Sequence, residues 1–276
     1  SKMYTRVFSF IGEETDSESE GFDAVTIKIM DIQDNGDCTF LVKGYMNRGE
    51  HEGQTGVSLC RYSYSENNVT ERLFIPLAVP YNVLSENAGG VSYVSEDKFY
   101  ILIDETLYSV DLDSKEVMIE IDKLKDGTYA VSDNGDAIAY SVSGDIYNTD
   151  TIRVLNMSND SAYEIKAEEG DTLKALGYIR SDFIYGAAHK SDILSEADGS
   201  SVYAMYKVGI IDTDYNQIKD YEEPGINVSG AEVEGMRITL SRVVMSDGGY
   251  VSTSIDQLIN KDENVTDDGI QTEAIS

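Results

Sequence analysis

The chain has 276 residues, 51 acidic against 21 basic, and a formal net charge of -30. A field of that sign repels nucleic acid and anionic membrane surfaces, so neither is expected as a partner. With 19 Tyr, 7 Phe and 23 Gly against 3 Pro and no Trp, the composition is too aromatic for a disordered acidic polymer and fits strands and turns better than helices.

The first element in chain order is a strand at Thr5–Phe10, followed by an acidic run over 13–20 that reads as a solvated loop. A four-run unit then spans about 24–76, "VTIKIMDIQDNGDCTFLVKGY" followed by "TGVSLCRYSYSENNVTERLFI". If its long loop is centred near His51, Tyr45 faces Val57, Cys38 faces about position 64, and Cys60 faces about position 42. That offset, at roughly 3.3 Å per residue, exceeds the ~7 Å Cα limit for a disulfide. Another register would allow the bond, so the redox state of the pair stays open.

A second unit, 91–121, has runs Val91–Val94, Phe99–Ile103, Leu107–Asp111 and Val117–Ile121. The third, 128–167, is the clearest: Tyr129–Ser132, Ala137–Val142, Thr151–Met157 and Ala162–Lys166. Asn134-Gly135 supplies the positive φ values of a tight turn between its first two runs. A fourth unit covers 173–221. A fifth, 226–260, is legible through three runs and then blurs, and Thr5–Phe10 is expected to complete it. Residues 262–276 read as an acidic linker or tail.

The turns before the second runs fall near positions 36, 97, 135, 181 and 235, a spacing close to or above the roughly 40 to 50 residues of propeller blades. The expected fold is therefore all-β, a β-propeller of about five four-stranded antiparallel repeats, with a β-sandwich as the structural rival.

The stretch "SDNGDAIAYS…TIRVLNMSNDSAYEI" resembles the TolB-like, or WD40-like, β-propeller repeat. Ser132, Asn134-Gly135, Ile138, Tyr140, Ile152, Val154 and Asn156 fall at matching places, although Asp133 stands where that repeat has Pro. The resemblance covers roughly 25–260 and implies a propeller used as a binding platform, with no catalytic residues attached. The chain also looks like surface-anchored bacterial propeller proteins, which implies an extracytoplasmic location on a tether outside these residues.

In a meander blade, the loops joining strands two and three open on the face that also carries the connections between blades. That face is expected to hold both histidines of the chain, His51 and His189, together with Tyr45, Arg48, Tyr81, Asp145, Tyr147 and Asp192. Tyr and Arg are common interface anchors, and loops on a rigid scaffold are where binding concentrates. Asp212, Asp214, Asn216, Asp220 and Glu223 fit several EF-hand ligand places, which makes them a calcium candidate. Gln217 stands where that loop wants Gly, however, and turn chemistry accounts for the same residues.

No metalloprotease, P-loop or dinucleotide motif occurs, and around Ser141 a nucleophile elbow would need Gly where Ala139 and Ser143 stand. No cofactor is expected. The expected function is a non-enzymatic recognition or scaffold module that binds a protein or a glycan through its loop face. The alternatives are a polysaccharide hydrolase or lyase, or a propeller gating a catalytic domain elsewhere.

Overall fold

A computed structural model describes residues 25–46, 49–78, 88–195, 201–259 and 271–274. Among them the only helical element is a single 3-10 turn, Lys190–Asp192. β-branched and aromatic residues supply the strands, and Gly, Asn and Asp break them into short hairpins.

The chain divides into two compact units, Ser1–Asp122 and Lys123–Ser276. The first contains a sheet of β1 (Val25–Ile32), β2 (Cys38–Tyr45), β3 (Thr55–Ser63) and β4 (Asn68–Pro76), paired in that order. Its second sheet is β5 (Ala88–Val94), β6 (Lys98–Ile103), β7 (Thr106–Asp111) and β8 (Val117–Ile121), also in order. Leu41, Val57 and Leu59 of one sheet pack against Phe99 and Ile101 of the other. Phe99, Tyr100, Ile101 and Leu102 are consecutive and all buried, the pattern of a strand covered on both faces.

The second unit opens with β9 (Tyr129–Val131), β10 (Ala137–Ser141), β11 (Thr151–Asn156) and β12 (Ser161–Lys166). Next come β13 (Asp171–Ile179), β14 (Asp182–His189), a small hairpin of β15 (Ile193–Ser195) and β16 (Ser201–Tyr203), then β17 (Lys207–Ile211) and β18 (Gln217–Glu222). The long strands pair in the order β13-β14-β17-β18. The last sheet comprises β19 (Asn227–Glu234), β20 (Arg237–Ser246), β21 (Gly249–Ser252), β22 (Asp256–Ile259) and β23 (Gln271–Ala274), in the order β19-β20-β22-β23. Ile152, Val154, Phe183 and Tyr185 share one core cluster, and Ile184, Val208, Ile238 and Leu240 share another. Each successive sheet of this unit is thus buried against the next.

The fold is all-β and of β-propeller type: among the described residues four sheets are four-stranded and antiparallel, like the blade of a propeller, and the last keeps a four-strand path with β21 as an added fifth strand. Two turn devices recur across the sheets. Before the second strand, Ser132 Oγ accepts the Ala137 N–H at 2.9 Å and donates to Asp136 Oδ1 at 2.8 Å, and Ser95 Oγ accepts the Lys98 N–H at 3.0 Å. Before the fourth strand, an Asx side chain closes the turn: Asp111, Asn156 and Asp212 each accept the backbone N–H two residues on. Of Asn134-Gly135, Gly135 alone takes a positive φ, 77°.

Several expectations need correction. The β2–β3 register places Tyr45 opposite Thr55, Cys38 opposite Tyr62 and Cys60 opposite Phe40, so the loop is tighter than one centred on His51 requires. Cys38 and Cys60 are both free thiols. The fifth repeat blurs because β20 is shared: its end, Val243–Ser246, pairs with β21 and its start, Arg237–Leu240, pairs with β22. Gln271–Ala274, within the stretch read as an acidic linker or tail, pairs with β22 as the last strand of the path β19-β20-β22-β23. The strand expected at 5–10 lies outside the described residues.

Candidate functional site

The two histidines share one local design, in separate units. His51 stacks flat on Phe74, with ring centroids 3.7 Å apart, and its Nε2 meets Glu71 Oε1 at 2.7 Å. Glu71 Oε2 accepts the Ser58 hydroxyl at 2.6 Å. His189 stacks on Tyr206 at 4.5 Å, and its Nδ1 lies 2.6 Å from Asp171 Oδ1. The Tyr206 hydroxyl donates to the other Asp171 oxygen at 2.7 Å. Each imidazole is held flat against an aromatic ring and oriented by a carboxylate.

In the second unit the design is part of a larger network. Asp171 begins β13 directly opposite His189, the last residue of β14. Asp171 is 6% exposed at its side chain and His189 54%, so the carboxylate is the buried anchor and the imidazole the exposed head. A carboxylate only accepts, so Nδ1 carries the proton, and Nε2 is the nitrogen presented to a ligand. Next along β13, Thr172 Oγ1 accepts the Thr149 N–H at 2.9 Å and the Tyr203 hydroxyl at 3.3 Å. Thr149 Oγ1 meets Ser141 Oγ at 2.7 Å and donates to the Asp145 carbonyl. These bonds fasten the 142–150 loop to the start of β13. Tyr147, half exposed, lies 6.5 Å from the Tyr203 ring, over which Lys174 Nζ sits at 5.3 Å. A shallow recess, open to solvent, has Asp145, Thr149 and Lys174 among its walls.

The electrostatics follow from this packing. The hydrogen bond to Asp171 raises the His189 pKa against a smaller opposing effect of burial, with Asp192 and Glu168 adding to the rise. Burial lowers Lys174 and raises Tyr203 to about 12, so that phenol stays neutral across the ordinary pH range. Burial first, then the bond to Asp171, raises Tyr206 well above the usual phenol value.

No family model and no curated protein matches the chain. Among solved structures, an oligogalacturonate lyase of Vibrio parahaemolyticus is 9% identical, with 91% of this chain and 71% of that one covered and a TM-score of 0.37. The β-propeller domain of the Trilobed protease from Pyrococcus furiosus is 9% identical, with 90% and 70% covered and a TM-score of 0.35. A post-proline cleaving enzyme from Rickettsia typhi is 11% identical, with 90% and 38% covered and a TM-score of 0.37.

Of the residues expected on the loop face, Asp145, Tyr147, His189 and Asp192 belong to this end of the second unit. Tyr45 and His51 lie at the corresponding hairpin of the first unit, and Arg48 and Tyr81 lie outside the described residues. Asp171, Tyr206, Tyr203, Lys174, Glu71 and Phe74 carry no motif in the sequence, and their places beside the loop residues depend on strand register and on the path of the connecting segments. The signal for Asp171 was the "EEGD" turn, which opens β13 opposite the end of β14.

The calcium candidates do not converge. Asp212 Oδ1 accepts the Asp214 and Asn216 N–H groups, Asp220 pairs with Lys207 at 3.1 Å, and Glu223 pairs with Arg242 at 2.9 Å. Asp214 and Asn216 belong to the same turn. No cluster of metal-binding side chains occurs among the described residues.

Proposed function

We propose that the chain is a recognition module that binds a neutral glycan at the His189 end of its second unit. The observation that carries this reading is the Asp171–His189–Tyr206 constellation: an imidazole and a phenol oriented by one buried carboxylate, beside the half-exposed ring of Tyr147. Such a surface offers flat apolar ring faces for sugar C–H groups and fixed polar atoms for hydroxyls. The net charge of -30 disfavours polyanionic chains and nucleic acid. Kinship with TolB-like or WD40-like repeats is part of the proposal, supported by the Ser132–Asp136 turn and the strand that follows it. So is an extracytoplasmic, tethered location, in keeping with an acidic surface that favours solubility.

The test is an array of neutral oligosaccharides probed with wild type, His189→Ala and Tyr147→Ala. Retention of one sugar class by wild type, weakened at least fivefold in both variants, supports the reading. Equal retention by all three, or capture of proteins alone, overturns it.

A second reading rests on the same pair. A buried carboxylate that orients an imidazole is also the geometry of general acid–base catalysis. Release of reducing ends from the retained polysaccharide, lost in His189→Ala, would favour a glycan-processing enzyme instead.

A further inference from the structure

At the opposite ends of the same strands, the turns of the third and fourth sheets line a cleft that is open to solvent on one side. Its walls include Tyr163, Tyr178, Phe183 and Tyr215, with Asp136 and Asp212 at the rim turns. Tyr163 and Tyr215 meet with ring centroids 4.3 Å apart, and Tyr178 and Phe183 at 5.3 Å. Tyr215 is half exposed and closes one wall by donating its hydroxyl to Ser161 Oγ at 2.8 Å.

One atom there is out of keeping with the rest of the protein. The Tyr178 hydroxyl is buried and has no hydrogen-bond partner, the sole such side-chain atom among the described residues. Tyr178 is 4% exposed. Leaving a buried hydroxyl unpaired is costly, so native structures rarely keep one without a reason. Burial, with Tyr163 and Asp136 nearby, holds this phenol neutral far above the usual range. A neutral hydroxyl beside carboxylates can accept a hydrogen bond from a cation, whereas an anion seeking its proton would be repelled.

We propose that this pocket binds a primary alkylammonium group. The ammonium donates to the Tyr178 oxygen within the field of Asp136 and Asp212, and its alkyl stem lies on the rings of Tyr163, Phe183 and Tyr215. Ring faces attract cations, which favours an ammonium over a neutral amphiphile of the same shape. The requirement for an N–H favours a primary amine over a trimethylated one. The group could belong to a free amine or to a lysine side chain. The site lies at the other strand ends from the His189 network and does not depend on the glycan reading.

The test is 1H–13C NMR of the tyrosine rings of the full chain, titrated at fixed ionic strength with pentylammonium, 1-pentanol and trimethylpentylammonium. Nα-acetyl-lysine methylamide, run in parallel, separates a lysine source from a free amine. Pentylammonium should shift Tyr163, Tyr178 and Tyr215 saturably and bind about tenfold more tightly than pentanol, as a cation–π contact plus a charged hydrogen bond implies. Tyr178→Phe should weaken it about fivefold while leaving the melting temperature unchanged or higher, because the hydroxyl removed had no partner. Tyr215→Asn, at a half-exposed turn position, should also weaken it. Equal binding of pentanol, undiminished binding by Tyr178→Phe, or no saturable shift at these tyrosines would overturn the proposal.

Discussion

Asp171 and His189 face each other at the first position of β13 and the last of β14, and their side chains close the strand pair at 2.6 Å. The backbone register alone brings a buried carboxylate against an exposed imidazole. Tyr206 then fixes both, by a hydrogen bond to one and a ring stack on the other.

The pair makes stability pH-dependent with a definite sign. The folded His189 pKa is raised, chiefly by its bond to Asp171. Its contribution is therefore complete below the ordinary histidine value of about 6.5 and is lost as pH rises through the raised value. Imidazole NMR titration of His51→Ala, which leaves a single histidine, should give a midpoint above 6.5. Adding Asp171→Asn should bring that midpoint down; no change would remove the role given to Asp171.

Gly186, in the middle of β14, is required by close approach. A Cβ there would collide with the sulfur of Met205, which is fully buried. Gly186→Ala should destabilise the fold by about 1–3 kcal/mol in urea titrations, as overpacking does.

Arg242 anchors a buried cluster. Its guanidinium, 8% exposed, donates to the Tyr221 hydroxyl, Glu223, Asp256 and Ser254. Arg242→Met strands the buried Asp256 carboxylate and should cost roughly 3–5 kcal/mol. The exposed Arg237–Glu234 pair is the internal control, and Arg237→Ala should cost less than about 1 kcal/mol. Equal effects in guanidinium titrations would contradict this account of the cluster.

The serine of the repeat turn is tested by Ser132→Ala. It leaves the Ala137 N–H without its acceptor and removes one of the donors to Asp136, and should cost about 1–3 kcal/mol because a buried donor loses its partner. A cost indistinguishable from zero would make the turn signature incidental.

The strands of the second and third repeats were legible to within a few residues, because their apolar runs are separated by Asn, Asp and Gly that have a turn to make. Asp111, Asn156 and Asp212 show the same chemistry from three repeats, and this is why an apparent calcium loop is a turn followed by a strand. Less legible was whatever depended on pairing across strands. A loop shorter by two residues moved Cys38 and Cys60 to new partners, and the double use of β20 hid the end of the fifth repeat. His189 and Tyr147 could be proposed from loop position. Asp171, Tyr203 and Tyr206, which orient and flank them, come from strand ends and a connecting segment that carry no motif.

Hydrogen–deuterium exchange with and without the best-retained neutral oligosaccharide tests the binding site most directly. Protection should be confined to residues 141–150, 171–174, 187–192 and 203–206, and should vanish in His189→Ala. Protection elsewhere in the chain, with these four segments unchanged, would contradict the assignment of the site.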